Sequence, residues 1–261
     1  RVKASDRPWF LGLMQHLSGR GMNCPQPVQA KDGSALRVLA DRPAAITTFL
    51  PGQAVPQITK SACHALGQVL ATFHKLGQDY TAERLNGLSV EAWRPLLESC
   101  QGSGDDLLPG LTQELSEALS RIEKSWPAAG SLPRGQIHAD LFPDNVFFQG
   151  DQVSGLIDFY FACTDLFAYD LAICLNAWCF RDEKVFEPAF AHAMIEGYES
   201  VRNLEVAEKE ALPVLCQGAS IRFLLTRLYD WINTPADALV TRKDPLAYLG
   251  RLRHFSGVAH V

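Results

Sequence analysis

Two short apolar runs that flank a group of polar side chains constrain this chain more than any other feature. The first run, residues 136–148, carries His138, Asp140 and Asn145, and the second run ends in Asp158. Short apolar runs separated by turn residues are typical of paired strands. We therefore expect a hairpin that brings these polar side chains together at one end.

The spacing within this group points to phosphoryl transfer. Asp140 and Asn145 are five residues apart, the spacing of the Asp and Asn in the catalytic loop of protein kinases. Such a reaction needs metal-held phosphates, a positioned hydroxyl and a carboxylate that orients it or accepts its proton. Asp158 adds a carboxylate, and carboxylate and amide oxygens are hard donors suited to Mg²⁺. We favour this interpretation over turn capping alone.

His138 has two possible roles in this loop. It is a candidate catalytic group, because it lies two residues before Asp140. We expect its main role to be structural, with hydrogen bonds from the imidazole to the loop backbone that hold Asp140 in place.

The rest of the chain has mainly helical periodicity. Apolar residues recur at helical spacing in a series of stretches, and two strands, 36–39 and 44–49, are predicted around a turn at 41–43. A few strands, a hairpin and a helical remainder predict an α+β fold. The predicted helices cover residues 6–19, 62–77, 90–99, 111–122, 171–178, 186–201, 205–233 and 244–254.

Composition and charge argue against several classes of protein. The formal net charge of −5 argues against a nucleic-acid partner, which needs clustered Lys and Arg. The seven cysteines are odd in number and form no CxxC pair, so we expect buried thiols in a reduced compartment. The most apolar stretch, residues 171–180, is too short to cross a bilayer. We expect a cytoplasmic protein that binds neither nucleic acid nor membrane.

The sequence resembles a known superfamily of kinases. His138-Ala-Asp-Leu-Phe-Pro-Asp-Asn145, Ile157-Asp-Phe159 and Asp170-Leu-Ala172 match the pattern of the aminoglycoside phosphotransferase-like kinases. More narrowly, four further segments resemble the bacterial homoserine kinases of that superfamily. These segments are residues 10–17, 156–163, 174–180 and 222–231, and the resemblance extends from about residue 6 to 255.

The resemblance implies a fold and an activity. The fold would be a bilobal, protein-kinase-like one, with a partial N-terminal lobe at residues 1–50 and a mainly helical C-terminal lobe at 51–261. The activity would be ATP- and Mg²⁺-dependent transfer of the γ-phosphate to the hydroxyl of L-homoserine, a step of threonine biosynthesis. The alternatives are a kinase of the same fold for another small alcohol or an aminoglycoside, and a truncated binding protein without catalysis.

The resemblance also assigns roles by position. Asp140 would be the catalytic base, with Asn145 and Asp158 as Mg²⁺ ligands. Asp170 is expected to brace the catalytic loop in preference to contacting substrate. The backbone of a predicted hinge strand would bind adenine, at Thr48, Phe49 and Leu50.

The substrate side must match a carboxylate and an ammonium, so the pocket needs a cation or backbone donors and an acid or carbonyl near Asp140. Arg222 and Arg227 are five residues apart on one predicted helix, not on one face, so we expect only one to point inward. Arg222 is our choice, and a surface salt bridge is the alternative. Further candidates to line this pocket are Asp165, Tyr160, Asn176 and Trp178, the last of which is also expected in the core.

The N-terminal lobe predicted here is short for this kind of kinase. Residues 1–50 hold one helix and two strands, and no G-x-G-x-x-G motif occurs among them. We expect either a piece of a longer protein or a truncated relative, and we favour the piece.

Overall fold

The computed structural model describes residues 6–100, 102–235 and 242–261, and its N-terminal part combines one helix with short strands. Helix α1 (Arg7–Ser18) has a proline in its first turn, where the missing N–H costs no helical hydrogen bond. Its apolar face is buried, as the helical spacing predicts. Strands β1 (Arg37–Leu39) and β2 (Arg42–Ala44) pair as an antiparallel hairpin.

The prediction of a strand over residues 44–49 is wrong. The chain turns at Ala40 and Asp41, which have φ angles of 49° and 59°, and two successive positive φ angles suit a two-residue hairpin turn. Strand β2 therefore begins two residues earlier than predicted and ends at Ala44. Beyond it the chain makes an isolated bridge at Thr47 to the segment before β1.

Helices dominate the chain from residue 60 onward. Helix α2 (Lys60–Gly77) packs against α6 (Pro188–Glu199) at two glycines, since a Cβ on Gly67 or Gly197 would overlap the backbone of the other helix. The predicted helices are confirmed with small shifts at their ends, and α5 begins four residues earlier than expected. The remaining helices are α3 (Val90–Ser99), α4 (Leu111–Ser125), α5 (Phe167–Trp178), α7 (Val206–Asn233) and α8 (Leu246–Ser256).

Helix α5 lies at the centre of this part of the molecule. All 12 of its residues are buried, and it contacts α2, α6 and α7. The seven cysteines are all free and buried, as predicted. Within the described ranges, no helix combines the length and the apolar character that a bilayer crossing requires.

Short antiparallel strand pairs position the polar loop. Strand β3 (Arg134–Ile137) pairs with β6 (Cys163–Leu166), and β4 (Val146–Gln149) pairs with β5 (Gln152–Leu156). A further pair, β7 (Phe180–Arg181) and β8 (Val185–Phe186), follows α5. The loop with Asp140 lies between β3 and β4, and Asp158 lies between β5 and β6, so the predicted hairpin is present.

Candidate active site

The three oxygen-bearing side chains predicted to converge do so. A cavity of about 320 Å³ is lined by Asp140, Asn145 and Asp158 together. The Asn145 side-chain amide donates to the Asp140 carbonyl at 2.7 Å and lies 3.4 Å from an Asp140 carboxylate oxygen. These bonds fix the side chains of Asp140 and Asn145 relative to each other at one end of the cavity.

Asp170 holds the loop that carries Asp140. It lies on α5, is fully buried, and accepts hydrogen bonds of 2.8 Å from the backbone N–H groups of both His138 and Ala139. Ala139 has a φ angle of 63°, a conformation that is uncommon for a residue with a side chain. The two bonds therefore stabilise a strained turn directly before Asp140, and Asp170 braces the loop without lining the cavity.

A buried histidine extends this support to two further helices. The His74 Nε2 atom is 3.1 Å from an Asp170 carboxylate oxygen, and its Nδ1 atom is 2.7 Å from the Tyr198 hydroxyl. Burial lowers the pKa of His74, although Asp170 acts against this shift. Burial acts to raise the pKa of Asp170, but its hydrogen bond with His74 helps to leave that pKa below the usual value. A neutral His74 that donates to ionised Asp170 and accepts from Tyr198 satisfies all three groups.

Replacement of Asp170 by alanine should lower the free energy of unfolding of the protein. The change leaves two buried backbone N–H groups and His74 without their acceptor, which costs about 3 kcal/mol or more. Urea unfolding of Asp170→Ala measures the loss. Glu210→Ala, which removes an exposed acid from α7, is the matched control and should change stability by less than about 0.5 kcal/mol. Equal stability of the two variants would contradict the bracing role.

His138 takes the structural role of the two that the sequence left open. Its ring is buried, and Nε2 lies 3.0 Å from the Ile157 carbonyl, to which it donates. Burial lowers the pKa of His138, so the imidazole is neutral at pH 7. His138 is not among the side chains that line the cavity. It joins the catalytic loop to the segment that carries Asp158, and its candidate catalytic role is not supported.

The cost of replacing His74 should depend on pH. Because burial depresses its pKa in the fold, the unfolded chain gains a proton below about pH 6.5 that the folded chain does not. The contribution of His74 to the stability of the wild type is thus fully present above about pH 6.5. It is lost as the pH falls, by up to about 1.4 kcal/mol per pH unit. Carboxylates with raised pKa values act in the opposite sense but are common to wild type and variant.

We therefore expect His74→Gln to destabilise the protein less at pH 5.5 than at pH 7.5. Chemical denaturation of wild type and variant at both pH values measures the difference. His260→Gln removes an exposed imidazole and should have no effect at either pH. A cost of His74→Gln that is the same at both pH values would mean that His74 is not held neutral.

Asp140 has the electrostatic environment of a base. Burial raises its pKa to about 6, Arg222 acts to lower the pKa, and Asp158 acts to raise it. At neutral pH the carboxylate is therefore mostly ionised but more basic than an ordinary aspartate. A pKa near the working pH is what general base catalysis favours.

Two arginines of α7 line the cavity, so the prediction that only one points inward is wrong. Arg222 is 2% exposed, and its Nη1 donates to the Ala139 carbonyl at 2.7 Å. Arg227 also lines the cavity, with its guanidinium 4.6 Å from the ring centroid of Tyr248. The cavity runs along α7, and a long arginine stem reaches it from a neighbouring face of the helix.

Two other substrate candidates are structural. The Asn176 amide donates to the carbonyls of Ala172 and Cys216 at 2.9 and 3.0 Å, and its oxygen accepts from the Ser220 hydroxyl. The Trp178 indole N–H donates to the Leu141 carbonyl at 2.8 Å. Both residues face inward from α5 because that helix is buried on all sides, so neither lines the cavity.

The remaining two candidates lie near the cavity but outside its lining. Tyr160 is 55% exposed and lines a second cavity of about 210 Å³ between α1 and the N-terminal segments, which Asp158 also lines. Asp165 accepts a 2.7 Å bond from the Asn86 amide, and burial raises its pKa. Tyr160 lies in the short turn before β6 and Asp165 lies in β6, and neither lines the cavity of Asp140. Their contact with substrate stays a prediction.

The predicted hinge is neither a buried strand nor fully available for adenine. The Thr48 N–H donates to the Gln26 carbonyl at 2.9 Å, so it is already paired. Phe49 is 90% exposed, and Leu50 is partly buried against Gly155. The sequence did not reveal that residue 48 pairs with the segment before β1, whose carbonyl accepts the Thr48 N–H. Adenine binding at Phe49 and Leu50 stays a prediction.

The donor set at the cavity suits a divalent metal ion. The amide nitrogen of Asn145 donates to Asp140. This orients the Asn145 side chain and leaves its amide oxygen to act as a metal ligand. Asp158 contributes a carboxylate from a residue with a φ angle of 64°. One or two carboxylates with an amide oxygen, completed by water and phosphate oxygens, form the usual environment of Mg²⁺.

Several lining residues were missed by sequence reasoning. No motif marks Lys243, which follows the long helix α7, and Thr226 and Asp230 become lining residues only because α7 packs across the loop. Helical spacing from Arg222 was a usable signal for these two residues, since positions four and eight residues further along α7 lie on the same face of the helix. The other missed residues are Leu88, Phe142, Asp144, Phe161 and Phe223.

Comparison with known proteins places these features in a family. The model of the phosphotransferase enzyme family matches residues 1–204. A homoserine kinase of Gluconobacter oxydans (strain 621H) is 70% identical over 261 residues, which are 100% of this chain and 83% of the relative. A homoserine kinase of Gluconacetobacter diazotrophicus is 61% identical over 253 residues, 97% of this chain and 79% of the relative.

A solved structure shares the fold. The amicoumacin kinase in complex with AMP-PNP, Ca²⁺ and Ami matches with a TM-score of 0.68 at 15% identity, over 97% of this chain and 76% of that chain. This likeness confirms the predicted kinase-like α+β architecture.

Proposed function

The chain belongs to the phosphotransferase enzyme family and, within it, to the homoserine kinases, and from this membership we propose that it phosphorylates L-homoserine. The reaction is ATP-dependent transfer of the γ-phosphate to the side-chain hydroxyl, which yields O-phosphohomoserine for threonine biosynthesis. The observation that carries the proposal is the shared cavity of Asp140, Asn145 and Asp158, in a chain 70% identical to a homoserine kinase.

Asp140 acts on the acceptor hydroxyl. As the hydroxyl oxygen bonds to the γ-phosphorus, the bond from that phosphorus to the bridging oxygen of ADP breaks, and the hydroxyl proton passes to the Asp140 carboxylate. The raised pKa of about 6 supports this assignment, because it makes the carboxylate a better proton acceptor while it stays ionised at pH 7.

Asn145 and Asp158 would hold the divalent metal ion, for which we propose Mg²⁺. When bound, the ion supplies positive charge that neutralises the phosphate oxygens of ATP. Asn145 has a second task, since its amide nitrogen donates to the backbone carbonyl of Asp140. Loss of Asn145 would therefore disturb both the metal ligand set and the position of the base.

Arg222 supports the acceptor side of the site. It is the largest influence that lowers the pKa of Asp140, and it ties its own guanidinium to the carbonyl before that residue. A cation here limits the build-up of negative charge from Asp140, Asp158 and the phosphates.

We assign residues 1–50 to the nucleotide-binding lobe and 51–261 to the lobe with the catalytic loop and acceptor pocket. Adenine would bind along the exposed hinge at Phe49 and Leu50, next to the cavity of about 210 Å³ that reaches Asp158. We also place the enzyme in the cytoplasm, because all seven thiols are free, as is usual in a reducing compartment.

A substrate panel tests this function. ADP release by the full-length protein is measured with L-homoserine, choline, methylthioribose and kanamycin at equal concentrations, with ATP and Mg²⁺. We expect the kcat/KM for L-homoserine to exceed the other values by at least about 100-fold, since two or more polar contacts with the amino-acid group discriminate. A higher value for any other alcohol would replace homoserine as the acceptor.

A further inference from the structure

Among the described residues, three cations line the catalytic cavity, and they differ in what surrounds them. Arg222, Arg227 and Lys243 all reach it. Arg222 is 2% exposed, whereas Arg227 is partly exposed and Lys243 is exposed. The first therefore lies at the inner end of the cavity, and the other two lie nearer to solvent.

Arg222 is committed to the catalytic loop. Its Nη1 donates to the Ala139 carbonyl, directly before Asp140, and its guanidinium is 4.5 Å from the ring centroid of Phe223. These contacts bury the cation beside the base. Arg222 is a positioning residue for Asp140 more than a contact for a charged group of the acceptor.

Arg227 lies further along the same helix, and residues at and before α8 hold its guanidinium in place. Five residues of α helix at about 1.5 Å each separate it from Arg222 by about 7.5 Å along the axis. Its Nη1 donates to the Asp244 carbonyl at 3.1 Å, and its guanidinium lies over buried Tyr248. A guanidinium has five N–H donors, and the bond to Asp244 uses one of them.

Lys243 lines the same cavity from a different segment of the chain. It directly precedes Asp244, the residue whose carbonyl holds Arg227, and its Nζ is 5.6 Å from the ring centroid of Phe142. Two cations from separate parts of the chain thus line one cavity with Asp140, and Lys243 also acts to lower the pKa of Asp140. Such an arrangement suits an anionic group, because a carboxylate accepts from a guanidinium and an ammonium together.

We propose that Arg227 and Lys243 bind the α-carboxylate of the acceptor while its hydroxyl lies at Asp140. This assignment rests on the proposed function. In L-homoserine the hydroxyl oxygen and the carboxylate carbon are four bonds apart, and at roughly 1.5 Å per bond the extended zigzag spans about 5 Å. With a hydrogen bond of about 3 Å at each end, the molecule extends from Asp140 past Arg222 to the two outer cations.

The two cations would also set the specificity for amino acids. An alcohol of the same length without a carboxylate makes neither of these two contacts, so it loses the binding energy that the carboxylate supplies. Discrimination against such an alcohol therefore depends on Arg227 and Lys243 and not on Asp140.

The test compares two acceptors that differ only in the carboxylate. The full-length protein and its variants Arg227→Gln and Lys243→Gln are assayed for ADP release with L-homoserine and with 3-aminopropanol, which lacks the carboxylate. We expect the KM for L-homoserine to rise about 30-fold in Arg227→Gln and about 10-fold in Lys243→Gln. The kcat should stay within about threefold, and kcat/KM for 3-aminopropanol should not fall.

Arg242→Gln is the matched control. Arg242 is the neighbour of Lys243 and carries the same charge, but it lines an adjacent cavity and not the catalytic one. It should leave both KM values within about twofold. An unchanged KM for L-homoserine in Arg227→Gln and Lys243→Gln, or equal losses for both acceptors, would overturn the carboxylate assignment alone. Absence of wild-type turnover with L-homoserine would overturn the proposed function and this assignment together.

Discussion

Asp140→Asn should reduce kcat with L-homoserine by about 10³-fold or more, while the affinity for the ATP–metal complex changes by less than about threefold. A positioned general base contributes about 10² to 10⁴ to the rate, and asparagine cannot accept the proton. Because the side chains have nearly the same shape, the bonds to Asn145 and the bracing by Asp170 should persist. Steady-state ADP release and nucleotide titration measure the two quantities.

Asp151→Asn is the control for this substitution. Asp151 is an exposed acid in the turn between β4 and β5, so the variant has the same change in net charge without a change in the cavity. Its kcat should equal the wild-type value. If Asp140→Asn kept more than about a tenth of wild-type turnover, Asp140 would not be the base.

Asp158→Asn should reduce kcat/KM for ATP by about 10² to 10³, and higher Mg²⁺ concentrations should restore part of the loss. Removal of one charge from a metal site that contains few protein ligands weakens ion binding directly. Asp158 has a φ angle of 64°, and asparagine tolerates this left-handed conformation, so the backbone should not rearrange. A titration of activity with Mg²⁺ measures the shift in the metal requirement.

The same Asp151→Asn control applies to the metal titration. It should reproduce the wild-type Mg²⁺ dependence. An Asp158→Asn enzyme whose activity is low but whose Mg²⁺ dependence is unchanged would remove Asp158 from the metal site and leave it a structural role.

The catalytic end of the cavity was predictable because its determinants are local. Asp140 and Asn145 belong to one loop, and the spacing of five residues carries the geometry. Asp158 comes shortly after β5, the second strand of the hairpin, and the apolar pattern of that strand predicts that it pairs. For similar reasons the apolar periodicity of α2 and α7 predicted those helices with small errors at their ends.

The acceptor end was less predictable because it is assembled by tertiary packing. Lys243 lies shortly before α8 and lines the cavity, but no periodic pattern marks it. By residue type, Asn176 and Trp178 were suitable candidates to line the substrate pocket. Because α5 is buried on all sides, both side chains instead donate to backbone carbonyls in the core. Residue type alone does not distinguish a polar group that satisfies the core from one that lines a site.

The hinge shows a third limit. Its β-branched and apolar residues predicted a buried strand, but pairing with the segment before β1 occupies the Thr48 N–H and leaves Phe49 exposed. Strand partners far apart in the sequence are set by the tertiary structure, so their identity does not follow from a local pattern.

The most direct test of the central claim is the identity of the product. The full-length protein is incubated with ATP, Mg²⁺ and L-homoserine, and phosphorus NMR and mass spectrometry identify what carries the transferred phosphate. We predict one phosphate ester on the homoserine side-chain oxygen, formed in equal amount to ADP and absent with Asp140→Asn. ADP that forms at the same rate without homoserine, with inorganic phosphate as the only phosphorus product, would contradict it.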